Sequence, residues 1–183
     1  MTLRIFGGQF KGRQLKSPSS TTTRPTQGIV REAVFNICQD LIHGARFLDL
    51  YAGSGAMGLE ALSRGAAHST FVEKDRKAAG CIQENLTLLN LNPHSHVYNL
   101  DALQAIKKMN QPFDIIYIDP PYETPIAPVI EALLERKLLS SFLFLEERQK
   151  THTPIEHKSL SLYDTRKYGI ALLSIFQFIQ PSA

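Results

Sequence analysis

The chain has 183 residues, 43% of them hydrophobic and 20% charged, which fits one folded domain and excludes a disordered chain. Its two cysteines, Cys38 and Cys81, lack CxxC spacing, so neither a disulfide framework nor a zinc site is indicated. The net charge of +3 is segregated: six basic residues precede the first acid, Glu32, so residues 1–31 carry +6 and the remainder −3. Such asymmetry suggests a polyanionic partner for the N-terminal arm. Met1-Thr2-Leu3-Arg4 opens no signal-peptide core and no apolar run approaches a membrane span, so a cytoplasmic protein with no membrane partner is expected.

In chain order, residues 3–16 place apolar residues on either side of Gly7-Gly8, with a second break at Gly12, the pattern of a short glycine-bent hairpin. Ser17 to Thr23 reads as a polar link that Arg24-Pro25-Thr26 ends. Apolar residues then recur at helical spacing from Gly28 to Leu41, predicting an amphipathic helix placed to lie across the entrance of a ligand crevice.

Strand and helix alternate from there. Strands are predicted at Arg46 to Tyr51, Thr70 to Glu73, His96 to Leu100, Phe113 to Ile118 and Phe142 to Leu145. Helices fall at Met57 to Arg64, Arg76 to Leu91, Ala102 to Met109 and Pro128 to Leu139. Ser159 to Tyr163 and Ile170 to Phe178, joined at Tyr168-Gly169, are too close for a parallel crossover and predict an antiparallel edge hairpin. The sum is an α/β fold, Rossmann-like, with a mostly parallel seven-stranded sheet and a short N-terminal β-hairpin arm.

Gly53-Ser54-Gly55-Ala56-Met57-Gly58 matches G-x-G-x-x-G between a strand and a helix, and Glu73 ends the next strand. Nicotinamide and adenosylmethionine sites share that geometry, the acid binding ribose hydroxyls. Asp49, near the end of the first strand, separates them: a carboxylate there repels a pyrophosphate and attracts the ammonium and sulfonium of S-adenosylmethionine. Asp101-Ala102, after the third strand, is placed to read the adenine edge. Tyr51, Ser54 and Lys74, neighbours of these groups, complete the expected cofactor set. The plainer role for Asp101 is a helix N-cap, and for Glu73 a solvated surface acid.

Asp119-Pro120-Pro121-Tyr122 follows the fourth strand directly. A purine amine is a poor nucleophile because its lone pair is delocalised into the ring. The Asp119 carboxylate and the Pro120 carbonyl, fixed by the rigid prolines, can accept both N–H groups and favour a pyramidal nitrogen. Tyr122 offers a face for stacking a splayed base, worth roughly 1 to 3 kcal/mol. A rigid turn with a packing tyrosine is the plainer reading. The six histidines lack ligand spacing, so no metal is expected. Adenine-N6 methylation of nucleic acid uses the same acceptor pair and stays open, and a nicotinamide-dependent oxidoreductase would have to accommodate Asp49.

With these residues in view the chain resembles the bacterial 16S ribosomal RNA guanine-N2 methyltransferases of the RsmD type. The matching signatures include Arg4-Ile-Phe-Gly-Gly, Lys11-Gly-Arg13, Arg24-Pro-Thr26, Phe47 through Gly55, Phe71-Val-Glu-Lys-Asp75, Asp119 through Tyr122 and Tyr168-Gly169. Gln27-Gly28-Ile29 and Ile170 depart from the family pattern. The resemblance implies a class I methyltransferase using S-adenosylmethionine to methylate N2 of one guanine in 16S rRNA of the small subunit or its assembly intermediate. It implies residues 1–23 as an RNA-binding hairpin and linker and 24–183 as the methyltransferase domain, acting as a monomer. Arg4, Lys11, Arg13, Arg24 and Arg31 would grip the RNA.

Overall fold

A computed structural model of the chain describes residues 3–18, 25–121, 124–149 and 155–180. In chain order the elements are α1 (Pro25–Ile37), β1 (Arg46–Leu50), α2 (Ala56–Ser63), β2 (His68–Val72), α3 (Arg76–Leu88), β3 (Ser95–Tyr98) and α4 (Ala102–Ile106). β4 (Phe113–Ile118), α5 (Ala127–Glu135), β5 (Leu139–Arg148), β6 (Leu160–Tyr168) and β7 (Ala171–Phe178) follow. The strands form one sheet in the order β3-β2-β1-β4-β5-β7-β6. The first five run parallel, and β7 is antiparallel to both its neighbours, as the short Tyr168-Gly169 connection requires.

Side-chain alternation along the strands fills two layers. Leu48, Leu50, Ile116, Ile118 and Leu143 point to one face, where Ile106 of α4 and Ile130 and Leu133 of α5 cover them. Phe47, Ile115, Tyr117, Phe144 and Leu173 point to the other and meet Val30, Val34 and Phe35 of α1. α1 thus covers a sheet face instead of the crevice entrance that its sequence suggested. A proline is well suited to its first residue, where the missing N–H is no loss.

Two boundaries differ instructively from the sequence pattern. β5 extends well beyond its apolar run, from Leu139 to Arg148, because β7 pairs with it from Phe142↔Gln177 to Arg148↔Ala171 and supplies the ladder whatever the side chains. α3 stops at Leu88 rather than Leu91, with Asn90 at φ 57°.

The N-terminal arm does form the expected hairpin. Ile5 N–H donates to the Arg13 carbonyl at 3.0 Å and Leu15 N–H to the Leu3 carbonyl at 2.8 Å. Its Leu3, Ile5 and Leu15 are buried with Leu59, Leu62, Ile82 and Leu86 of α2 and α3. Three polar side chains fasten it. Glu60 accepts from the Phe6 and Gly7 N–H groups at 2.8 and 2.7 Å, and Ser63 Oγ accepts from Phe10 N–H at 2.9 Å. Asn85 imitates a strand, exchanging two 2.9 Å hydrogen bonds with the Lys16 backbone. Gly8, at φ 74°, lies so close to α2 that a Cβ would stand 1.8 Å from the Ser63 carbonyl oxygen.

Candidate active site

The chain turns immediately after β1 because Tyr51, Gly53 and Gly55 take positive φ values of 66°, 54° and 74°. Glycine enters this region freely, whereas Tyr51 is held there by its surroundings. Gly58, in the first turn of α2, comes hard against β2: a Cβ would stand 2.2 Å from Phe71 Cε1. Its N–H donates to Asp49 Oδ2 at 2.9 Å. Asp49 is only 1% exposed, and burial pushes its carboxyl up to about 7, against the Gly58 N–H and with the help of the Glu73 charge. This corrects the sequence reading of a carboxylate on the ligand surface, since Asp49 lies under the loop and holds it.

β1 and β4 are sheet neighbours although β2 and β3 intervene in the chain, so the chain order reverses there, the position at which open α/β sheets place ligands. A pocket of about 240 Å³ opens at that point. Val72 at the end of β2 with Glu73 and Lys74 after it, and Leu100, Asp101 and Ala102 after β3, form one part of its wall. Tyr51 and the Asp119-Pro120-Pro121 run complete it. The strand ends thus bring together the two motifs that the sequence analysis singled out. Gly53, Ser54 and Gly55 shape the turn without lining the pocket.

Glu73 Oε2 accepts the Gly53 N–H at 2.8 Å and Oε1 the Asp75 N–H at 2.7 Å, so the acid is oriented before any ligand arrives. Asn99 fixes the same segment by donating to the Glu73 and Lys74 carbonyls at 2.9 and 3.0 Å. Asp101 combines its two expected roles: Oδ1 caps α4 through Leu103 N–H at 3.0 Å while the residue lines the pocket. Burial, with the nearby Asp101 charge, pushes the Tyr51 phenol up to about 12.

Asp119 continues the line of β4, its N–H donating to the Leu50 carbonyl at 3.4 Å. Burial and then the Glu146 and Asp49 charges hold its carboxyl well above the usual carboxylate range. Beneath it the Tyr117 hydroxyl donates to Glu146 Oε2. Sequence reasoning missed both Tyr117 and Glu146, although strand alternation puts them on the Asp119 side of the sheet. Tyr122 lies outside the described residues.

Of the basic set, Arg4, Lys11 and Arg13 are exposed on the hairpin, and Arg24 lies outside the described residues. Arg31 has to be withdrawn from the surface group. It is 4% exposed, donates to the Arg4 carbonyl at 2.9 Å, stacks 4.1 Å from the Phe6 ring centroid and lies 3.7 Å from Glu60. It secures the arm from within. Glu60, fully buried in α2, was the unseen partner.

The mostly parallel seven-stranded sheet with its antiparallel last hairpin and switch-point pocket defines a Rossmann-like class I methyltransferase domain. Magnesium protoporphyrin IX methyltransferase from Synechocystis PCC 6803, solved with bound SAM, shares this fold with a TM-score of 0.64 at 12% identity over 88% of this chain and 87% of that one. The family described as Conserved hypothetical protein 95 matches residues 3–177. Ribosomal RNA small subunit methyltransferase D of Escherichia coli (strain K12) is 34% identical over 178 residues, covering 96% of this chain and 89% of that protein. Its namesake in Haemophilus influenzae is 35% identical over 180 residues, covering 96% and 93%. The solved structure of Escherichia coli yhhF superposes with a TM-score of 0.88 at 31% identity, covering 97% of this chain and 98% of that one. The chain belongs to this family, that of the ribosomal RNA small subunit methyltransferase D proteins.

Proposed function

We propose that this protein transfers a methyl group from S-adenosylmethionine to the exocyclic N2 amine of a guanine in 16S ribosomal RNA. The observation that carries the reading is that one pocket is walled by Glu73, Asp101 and Ala102 and also by Asp119, Pro120 and Pro121, so a cofactor site and an amine site open into each other. Relatives named ribosomal RNA small subunit methyltransferase D support the substrate class.

The donor set fits the cofactor. Burial, and then the Glu146 and Asp49 charges, raise the proton affinity of Asp119 in the pocket wall, so the site favours a cationic ligand over a pyrophosphate. When bound, S-adenosylmethionine supplies an electrophilic methyl group. Glu73 would accept from the ribose hydroxyls, Asp101 and the Ala102 N–H would read the adenine edge, and Val72 and Leu100 would flank the ring. Tyr51 and Lys74 border the same space.

Asp119 and the Pro120 carbonyl would accept the two N–H groups of the target amine and direct its lone pair into the pocket. Holding the reacting atoms in line can supply about 7 to 11 kcal/mol of a barrier. N2 of a guanine is best reached in an unpaired or flipped base, which a loop offers at least cost. Arg4, Lys11 and Arg13 would bind the surrounding phosphates. The enzyme would act in the cytoplasm, as a monomer, on an assembled or assembling small subunit. Among the described residues, no helix is long and apolar enough to cross a membrane.

The test incubates the protein and labelled S-adenosylmethionine with unmethylated small subunits, deproteinised 16S RNA or unmethylated DNA, then identifies the labelled nucleoside. N2-methylguanosine from particles or RNA is the expected product. N6-methyladenine, or no transfer to any of the three, would contradict the reading.

A further inference from the structure

We propose that Glu146, held by the Tyr117 hydroxyl beneath the amine site, is a positioning residue that makes Asp119 the acceptor of the proton released when the guanine amine is methylated. The inference rests on the proposed N2 chemistry and adds to it the destination of the proton.

The placement follows from register. Tyr117 pairs with Phe144 and Ile118 with Leu145 across β4 and β5, so Asp119 stands beside Glu146 at the strand ends, where neighbouring strands lie about 4.8 Å apart. Tyr117, Asp119, Phe144 and Glu146 share one face, as does Asp49, which pairs with Tyr117 across β1. Glu146 is 9% exposed and does not line the pocket, so it works through Asp119 and not on the substrate. The Tyr117 hydroxyl donates to it, which favours its ionised form and opposes the effect of burial. An ionised Glu146 in turn strengthens the hold of Asp119 on a proton.

Among the described residues, Arg148 shares a face of β5 with Glu146. Asp49 on β1 adds to the effect of Glu146 on Asp119. Arg31 of α1 acts on Tyr117, but its guanidinium is turned to Glu60 and the Arg4 carbonyl. In the reaction a C–N bond forms as the S–C bond breaks, and the nitrogen becomes a cationic secondary amine. Its N–H bonding pair returns to nitrogen as the proton passes to Asp119. The products are neutral N2-methylguanine, a thioether and a carboxylic acid that later releases its proton to water.

The experiment follows the Asp119 carboxyl by 13C NMR through a pH titration of the ligand-free protein, in wild type, Glu146→Gln and Tyr117→Phe. Single-turnover methylation is measured across the same pH range. Both substitutions are near-isosteric. Glu146→Gln removes the neighbouring charge, and Tyr117→Phe lets Glu146 take up a proton. The Asp119 midpoint is expected to fall by about one unit or more in each, with the acid limb of the rate profile moving to lower pH alongside it. A structural role alone would lower the rate or the melting temperature and leave the midpoint in place. N2-methylguanosine from wild type with unmoved midpoints in both variants would overturn the role of Glu146 alone. Absence of N2-methylguanosine from wild type would remove the underlying function, and the proton role with it.

Discussion

The Glu73 carboxylate accepts the Gly53 N–H at 2.8 Å, so the acid that follows β2 also closes the glycine turn that follows β1. Loop shape and the proposed ribose contact therefore depend on one side chain. Glu73→Gln keeps an acceptor oxygen for the Gly53 N–H, gives up the one for the exposed Asp75 N–H, which water can replace, and loses the charge that strengthens hydrogen bonds to ribose hydroxyls. Calorimetric titration is expected to show cofactor affinity reduced about 10- to 100-fold, with little change in melting temperature. An unchanged affinity would take Glu73 out of the cofactor site.

Asp49 makes stability depend on pH. The folded chain holds its proton more tightly than the unfolded chain, where an Asp titrates near about 3.9. Its favourable contribution is complete below that value and is lost as pH rises through about 7. Asp49→Asn retains an oxygen for the Gly58 N–H and removes the titration. Without cofactor, the variant is expected to melt several degrees above wild type at pH 8, the upper bound on the difference being about 4 kcal/mol. At pH 4 the advantage should vanish. Scanning calorimetry at both pH values checks this, and an equal shift at both would contradict it.

Glu60 is fully buried, accepts two arm N–H groups and lies 2.8 Å from Arg64 Nε. Removing one partner of a buried charged network leaves the others uncompensated. Glu60→Ala is expected to cost about 3 to 5 kcal/mol in urea unfolding. Hydrogen exchange should show the Phe6 and Gly7 amides losing protection first. Retained protection at those amides would mean that apolar contacts alone hold the arm.

Arg13 is exposed on the hairpin and belongs to the proposed RNA footprint. Arg13→Ala is expected to weaken binding to RNA of any sequence and to lower the salt slope by about 0.7 to 0.9, with cofactor affinity unchanged. Equal affinity and slope in the variant would exclude Arg13.

The alternation of strands and helices was legible because β4 and its neighbours carry periodic apolar residues, and Phe113–Ile118 falls at the expected bounds. The glycine turn, Glu73, Asp101 and Asp119 were legible because each begins within three residues of the end of a strand. Glu60, Asn85, Tyr117 and Glu146 were not, for a common reason: each is a polar side chain inside a regular element whose partner lies 29 to 69 residues away. Arg31 failed for the complementary reason. Its charge suggested solvent, and only the fold supplies Glu60, Phe6 and the Arg4 carbonyl that allow it to be buried.

The most direct measurement is single-turnover methylation of unmethylated small subunits by wild type and by Asp119→Ala, with the modified nucleoside identified by mass and chromatography and cofactor affinity determined in parallel. N2-methylguanosine is expected from wild type, together with its loss in a variant that remains folded and binds S-adenosylmethionine. N6-methyladenosine from wild type, or N2-methylguanosine formed undiminished by Asp119→Ala, would contradict the account.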